Sequence, residues 1–67
     1  MLYEYNQMLK EEYGENITVE IKSYLEDDGT TLYYYTSIRY GDSDAFETIE
    51  EAYKDACIYL SYVGELW

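Results

Sequence analysis

Carboxylates are the only abundant reactive side chains in this sequence of 67 residues, which contains 15 Asp and Glu, one Cys and no His. Two carboxylates can hydrolyse glycosides when they face each other across a cleft and burial raises the pKa of one of them. The acids here fall in predicted turns and on polar faces of predicted helices, where carboxylates are usually solvated. Because His, the commonest general base, is also missing, we predict that the protein is not an enzyme and has no catalytic residues.

Two acidic segments invite an interpretation as cation sites, because oxygen-rich loops bind Ca²⁺ or Mg²⁺. They are Glu26–Gly29 and Asp42–Asp44. Neither segment is followed by the Gly at the sixth position and the Glu at the twelfth that define the calcium-binding loop. The single Cys57 has no His to activate it and borders an apolar helical stripe, which favours a buried structural thiol over a nucleophile. We therefore predict no metal site and no cofactor.

The charge balance excludes several classes of partner. Only 4 Lys and Arg oppose the 15 acids, which gives a formal net charge of -11. Four scattered cations cannot neutralise a run of phosphates, so we predict no direct binding to nucleic acid or to a membrane, and a basic protein as the partner. With 48% hydrophobic and 19% aromatic residues the chain is expected to fold despite its acidity. It has no apolar run near the roughly 20 residues of a membrane span and no secretion signal, which predicts a soluble cytoplasmic protein.

Two amphipathic helices are predicted, one near each end of the chain. In residues 2–13 apolar side chains recur at spacings of three and four, and a glycine follows as a stop. Thr48 and Glu51 form a capping box that opens a second helix, which we expect to run up to Gly64. The apolar stripe of the first helix consists of Leu2, Tyr5, Leu9 and Tyr13, with Met8 beside it. The stripe of the second consists of Ile49, Ala52, Tyr53, Ala56, Leu60 and Val63, with Cys57 at its edge.

A β-hairpin is predicted between the helices. Ile17, Val19 and Ile21 alternate with polar residues, and residues 31–40 are rich in β-formers. Asp28-Gly29 between these runs predicts a two-residue type I′ turn. On the face that the helices cover, this turn pairs Leu25 with Leu32, Ser23 with Tyr34, Ile21 with Thr36, Val19 with Ile38 and Ile17 with Tyr40. On the opposite face it pairs Glu26 with Thr31, Tyr24 with Tyr33, Lys22 with Tyr35, Glu20 with Ser37 and Thr18 with Arg39.

A short third strand completes the predicted sheet. Gly41–Ser43 reads as a second turn, and residues 44–47 as a returning strand with Phe46 directed inward. The predicted order is therefore α-β-β-(β)-α. This order favours a single compact α+β domain over residues 1–67, with two layers, in which both helices cover one face of a small antiparallel meander.

The uncovered face of the predicted sheet is the first candidate surface for a partner. It would carry Tyr24, Tyr33 and Tyr35 among charged residues. Tyrosine is favoured at protein interfaces because it offers a large rigid area together with a hydroxyl group. The alternative interpretation is that these rings are simply good β-formers that lie flat over each other as cross-strand pairs.

The outer face of the last helix is the second candidate surface. Ile58 and Tyr62 point away from the apolar stripe and are flanked by Glu51 and Asp55. An apolar patch ringed by carboxylates suits a basic partner groove with an apolar centre. The alternatives are a homodimer contact and internal cover by Leu66–Trp67.

The size, acidity, tyrosine content and lack of His resemble a class of small proteins encoded by phages and mobile elements. These are the anti-CRISPR and nucleic-acid-mimic antirestriction proteins, which inhibit bacterial defence systems. The resemblance implies a cytoplasmic inhibitor in a bacterial host that occupies the basic nucleic-acid groove of a CRISPR effector or other nuclease. Carboxylates would then take the positions of phosphates, and tyrosines would replace stacked bases. The element order also resembles the double-stranded-RNA-binding domain, but the charge has the opposite sign, which disfavours RNA binding.

The partner-binding residues predicted from these considerations are acids near turns and helix starts, together with exposed apolar side chains. They are Glu26, Asp27, Asp28, Tyr33, Tyr35, Asp42, Asp44, Glu47, Glu51, Asp55, Ile58 and Tyr62. Two other functions would also explain the acidity. One is an antitoxin or immunity protein that neutralises a basic toxin, and the other is a homodimeric accessory or structural domain.

Overall fold

The chain folds as two helices and a three-stranded antiparallel sheet. The computed structural model describes residues 1–39 and 41–63. The elements are helix α1 (Leu2–Tyr13), strands β1 (Glu20–Leu25), β2 (Thr31–Ser37) and β3 (Gly41–Asp42), and helix α2 (Ile49–Val63). The strand order is β1-β2-β3, and both helices pack on one face of the sheet. The predicted two-layer α+β fold is confirmed.

Helix α1 has the predicted bounds and buries the predicted stripe. Leu9 is fully buried, while Met8 at the margin is 44% exposed. The helix ends because Gly14 adopts a φ of 106°, which residues with a Cβ rarely reach, and its N–H donates to the carbonyl oxygen of Lys10 at 2.9 Å. The rest of the stripe packs against the core while partly exposed: Leu2, Tyr5 and Tyr13.

Helix α2 begins at the predicted capping box. The Glu51 N–H donates to Thr48 Oγ1 at 3.2 Å, and the Thr48 hydroxyl donates to Glu51 Oε1 at 3.0 Å. The predicted stripe is buried at Ile49, Ala52, Ala56 and Leu60, and partly buried at Tyr53 and Cys57. The predicted stop at Gly64 and the Val63 side chain lie outside the described residues. Neither α1 nor α2 is long and apolar enough to cross a membrane.

The predicted type I′ turn is wrong, and the register differs by one residue. Of the hairpin-tip residues only Gly29 has a positive φ, 90°, whereas a type I′ turn at Asp28-Gly29 needs one at both positions. The Gly29 N–H donates to the Glu26 carbonyl oxygen at 3.0 Å, and the Glu26 N–H donates to the Thr30 carbonyl oxygen at 2.8 Å. These bonds are typical of a three-residue loop, 27–29, in which a glycine ends the turn as a bulge.

The shifted register reverses which face of the sheet each residue of β2 occupies. Ile21 faces Tyr35 rather than Thr36, and Lys22 faces Tyr34 rather than Tyr35. Because side chains alternate along a strand, Tyr33 and Tyr35 lie on the face that the helices cover. The buried core consists of Leu9, Val19, Ile21, Ile49, Ala52, Ala56 and Leu60, with Tyr33 and Tyr35 packed against it.

The third strand is shorter than predicted and lies earlier in the chain. Gly41–Asp42, predicted as part of a turn, pairs with β2, and the turn falls at residues 38–39. The predicted strand over 44–47 is reduced to a bridge between Phe46 and Tyr33, although Phe46 packs inward as predicted. Ile38, predicted to face Val19, is 86% exposed, because β2 ends before it. The predicted partner of Ile17, Tyr40, lies outside the described residues.

A side chain of α1 occupies part of the outer edge of β1. The Asn6 Nδ2 group donates to the Ile21 carbonyl oxygen at 3.1 Å, and the Ile21 N–H donates to Asn6 Oδ1 at 2.8 Å. A strand at the edge of a sheet presents unpaired N–H and C=O groups, which can recruit a further strand. Asn6 therefore satisfies one residue of this edge as a neighbouring strand would.

Candidate functional site

The face of the sheet that carries no helix has two tyrosine rings in contact, Tyr24 exposed and Tyr34 half-buried. We call it the open face; it carries Glu20, Lys22, Tyr24, Leu32, Tyr34, Thr36 and Asp42. The ring centroids of Tyr24 and Tyr34 lie 5.8 Å apart at an interplanar angle of 61°, an edge-to-face arrangement. The predicted patch of Tyr24, Tyr33 and Tyr35 is therefore wrong, and the open face carries the pair Tyr24 and Tyr34 instead.

Tyr33 and Tyr35 are not on the open face, contrary to prediction. The Tyr35 hydroxyl donates to Asp55 Oδ2 at 2.6 Å, and its ring lies 5.8 Å from that of Tyr59. Burial, and then the neighbouring Asp55 carboxylate, raise the pKa of Tyr35 well above its ordinary value of 10.0. Asp55, predicted to flank an exposed patch, is half-buried and holds this hydroxyl instead. These side chains join the sheet to α2.

The hairpin tip presents a group of three predicted acids to solvent. Glu26, Asp27 and Asp28 are exposed, as are all residues from 22 to 30, so the end of the hairpin extends beyond the helices. The Asp28 carboxylate accepts the N–H of Thr30 at 2.9 Å, and this bond lowers the pKa of Asp28. The tip is therefore a fixed turn that carries negative charge.

A second group of acids follows β2 along the chain. Asp42 lies on the open face opposite Thr36, and Asp44 is exposed two residues later. Glu47 is exposed just before α2, and the Glu51 carboxylate belongs to the helix cap. The structure thus places Asp42 and Asp44 beside the tyrosine pair, whereas Glu47 and Glu51 belong to the start of α2.

A shallow cleft of about 460 Å³ lies where the tyrosine pair meets the segment after β3. We call it the tyrosine cleft; it is lined by Tyr24, Tyr34, Asp42, Ser43, Asp44 and Ala45. Tyr34 was missed as a site residue because the predicted register placed it in the core. The signal that could have identified it is Gly29 as the third residue of a loop, since such a loop shifts the pairing by one.

The outer face of α2 is exposed as predicted. Ile58 is 62% exposed and Tyr62, one turn further on, is 79% exposed. Lys54 and Glu51 are exposed one and two turns before Ile58. The alternative cover by Leu66–Trp67 lies outside the described residues.

The remaining reactive groups are the carboxylates considered for metal binding and the Cys57 thiol. Within residues 1–39 and 41–63, no group of three or more His, Cys, Asp or Glu side chains is arranged to hold a metal ion. Cys57 is half-buried at the margin of the core.

Raising the pH is expected to destabilise the fold through its inward-facing tyrosines. Burial, and then the neighbouring Cys57 and Glu12, raise the pKa of Tyr53 to about 12, and the pKa of Tyr35 is also raised. A raised pKa in the folded state contributes stability that is fully present below the ordinary value of 10.0 and is lost as the pH rises through the folded pKa. We expect the urea midpoint to fall above pH 10, and to fall less for the Tyr35→Phe, Tyr53→Phe double variant. A variant with the same fall as the wild type would contradict this assignment.

Comparisons with protein-family models, with curated proteins and with solved structures found no match. The functional interpretation therefore depends on the residues and surfaces described above.

Proposed function

We propose that this protein inhibits a nuclease of a bacterial defence system, in the cytoplasm of the bacterial host, by binding the basic groove that normally receives nucleic acid. A CRISPR effector is the leading candidate for the target. The observation that carries this proposal is the amount and spacing of exposed negative charge. The formal net charge is -11, on a body whose longest dimension is 40 Å.

The net charge divided by the longest dimension is of the same order as that of one nucleic-acid strand. Each strand of duplex DNA carries one charge per about 3.4 Å, which is about 12 charges over 40 Å. Both strands together would carry about twice as many. A net charge of -11 therefore supports competition for a groove that binds one strand more than for one that encloses a duplex.

The positions of the acids support the same proposal. One group lies at the end of the hairpin and a second lies beside the tyrosine pair on the open face. The first turn of α2 carries Glu50 and Glu51, which also face solvent. A basic groove would meet negative charge at three separate places, and such fields accelerate association with a cationic partner.

The tyrosine pair supplies the second part of the mimicry. Proteins that bind single strands stack bases on aromatic side chains and on Arg guanidinium groups. Tyr24 and Tyr34 offer rings at the same surface as Asp42 and Asp44, as a nucleotide offers a base near a phosphate. The open face thus presents both kinds of group that such a groove recognises.

A panel of purified CRISPR effectors and restriction nucleases tests the proposal. We expect at least one nuclease to bind the protein and lose cleavage activity, with an affinity that falls about tenfold or more between about 50 and about 200 mM salt. The nucleic acid that the nuclease normally binds should compete with the protein. Failure to bind any member in the lower salt, or binding that nucleic acid does not displace, would count against the proposal. A light-scattering measurement on the free protein separates this function from a homodimeric one, since a dimer that buries Ile58 and Tyr62 would be stable without any partner.

A further inference from the structure

The tyrosine cleft combines two aromatic rings with two carboxylates in one concave surface. Tyr24 and Tyr34 come from neighbouring strands, and their edge-to-face contact fixes both rings on the open face. Asp42 and Asp44 border the same cleft from the segment that follows β2. The hairpin-tip residues Glu26, Asp27 and Asp28, by contrast, are all carboxylates.

The wall of the cleft is held in place by Ser43, which lies between the two aspartates. The Ser43 N–H donates to the Tyr35 carbonyl oxygen at 2.8 Å, and the Tyr35 N–H donates to Ser43 Oγ at 3.0 Å. The Ser43 hydroxyl in turn donates to the carbonyl oxygen of Asp44 at 2.9 Å. Asp42 faces Thr36 and Phe46 faces Tyr33, so the segment around Ser43 has one residue more than the stretch of β2 that it faces. Such an extra residue is typical of a β-bulge. Bulges of this kind redirect side chains, and here the backbone on both sides of Ser43 is tied to β2.

We propose that the tyrosine cleft receives an arginine side chain of a basic protein partner, an inference that rests on the proposed function. A guanidinium group is planar, so its edge can donate to a carboxylate while its face lies against an aromatic ring. Asp42 and Asp44, which line the cleft, would accept from the edge, and one ring of the Tyr24–Tyr34 pair would lie against the face. A lysine ammonium can use only one of these contacts well at a time, because it is a compact point charge.

None of the six residues that line the cleft carries a positive charge. Lys22 lies on the same face of the sheet, since it faces Tyr34 across the hairpin. It also borders a separate groove next to α1, together with Asn6 and Glu20. The two aspartates of the cleft are both exposed, so an incoming guanidinium can reach them.

Nuclear magnetic resonance titration of the full chain tests this assignment. The probes are three capped tripeptides with glycine on either side of arginine, lysine or citrulline, the last being the neutral counterpart of arginine. We expect the arginine peptide to shift the amide signals of Tyr34, Asp42 and Asp44 saturably. The lysine peptide should bind about fivefold more weakly or worse, and citrulline about tenfold more weakly or worse.

Matched variants distinguish binding in the tyrosine cleft from general attraction to the negative charge of the protein. Asp42→Asn with Asp44→Asn should weaken arginine binding about tenfold, and Tyr34→Leu should also weaken it while leaving the charge unchanged. The control is Glu11→Gln with Glu15→Gln, which removes the same two charges from exposed positions on and after α1 and should change binding about twofold at most. Amide-signal dispersion confirms that each variant is folded. Equal losses in the two double variants, or equal binding of citrulline, would overturn the proposal.

The failures of the two proposals are distinguishable. If a nuclease is inhibited but the arginine peptide shifts signals elsewhere, the cleft assignment is wrong and the proposed function stands. If the arginine peptide binds the cleft but no nuclease is bound, the cleft stands and the proposed target class is wrong.

Discussion

Replacing Tyr35 with alanine is expected to lower the free energy of unfolding by about 2 to 4 kcal/mol, whereas Tyr34→Ala should lower it by about 1 kcal/mol. The Tyr35 ring packs between the sheet and α2, and its hydroxyl is bound to Asp55. The Tyr34 ring lies half-buried on the open face, in edge-to-face contact with Tyr24. For a chain of this length the total stability is expected to be about 3 to 10 kcal/mol, so loss of Tyr35 removes a large part of it.

Urea unfolding of the two variants measures the register directly. In the register predicted from the type I′ turn, Tyr34 would face the helices and Tyr35 would face solvent, so the order of the two effects would be reversed. Tyr35→Phe is the control for packing, because it keeps the ring and removes only the bond to Asp55 at a cost of about 1 kcal/mol. A Tyr34→Ala variant that is less stable than Tyr35→Ala would contradict the register described here.

The bounds of α1 and the start of α2 could be predicted because their signals are local. Gly14 ends α1, and Thr48 with Glu51 opens α2, through bonds that span only three or four residues. The apolar side chains between these caps repeat with the helical period, so the buried stripes follow directly. Nothing in the rest of the fold competes with these choices.

The register of the hairpin could not be predicted from periodicity. The run from Leu32 to Tyr35 has apolar or aromatic residues at consecutive positions, so either face of β2 can be the buried one. Asp28-Gly29 is compatible with a two-residue turn and with the end of a three-residue loop. The bonds of Glu26 and the negative φ of Asp28 decide between them, and both are properties of the folded loop.

The candidate site also contains features that residue type predicts and features that depend on the register of the hairpin. The exposure of the predicted acids other than Asp55 could be inferred from residue type, since carboxylates in turns need no particular register to face solvent. Asp55 is half-buried because it accepts the Tyr35 hydroxyl. The tyrosine cleft could not be predicted, because it needs the correct register of β2 and the bulge after β3. That bulge depends on bonds between Ser43 and Tyr35, eight residues apart, which have no signature in the local sequence.

Replacing Asn6 with leucine is expected to destabilise the fold by about 2 kcal/mol and to promote self-association. Leucine keeps the approximate size of the side chain but leaves the Ile21 N–H and carbonyl groups without the two bonds that Asn6 makes, at 2.8 and 3.1 Å. A partly buried backbone group that loses its partner costs about 1 to 3 kcal/mol. The outer edge of β1 would also become available at Ile21 for pairing with another strand.

Three measurements on Asn6→Leu distinguish loss of the edge bonds from a general loss of helix stability. Urea unfolding gives the change in free energy, hydrogen exchange of the Ile21 amide reports the lost bond, and sedimentation reports self-association through the exposed edge. Gln7→Leu is the matched control, since it removes an amide from the next position of α1, and it should leave Ile21 exchange unchanged. If Ile21 exchanges no faster in Asn6→Leu than in that control, Asn6 does not protect the edge. An edge closed by Asn6 would also direct partners to the open face and the hairpin tip, where the acids lie, because a competing strand could not add to β1 at Ile21.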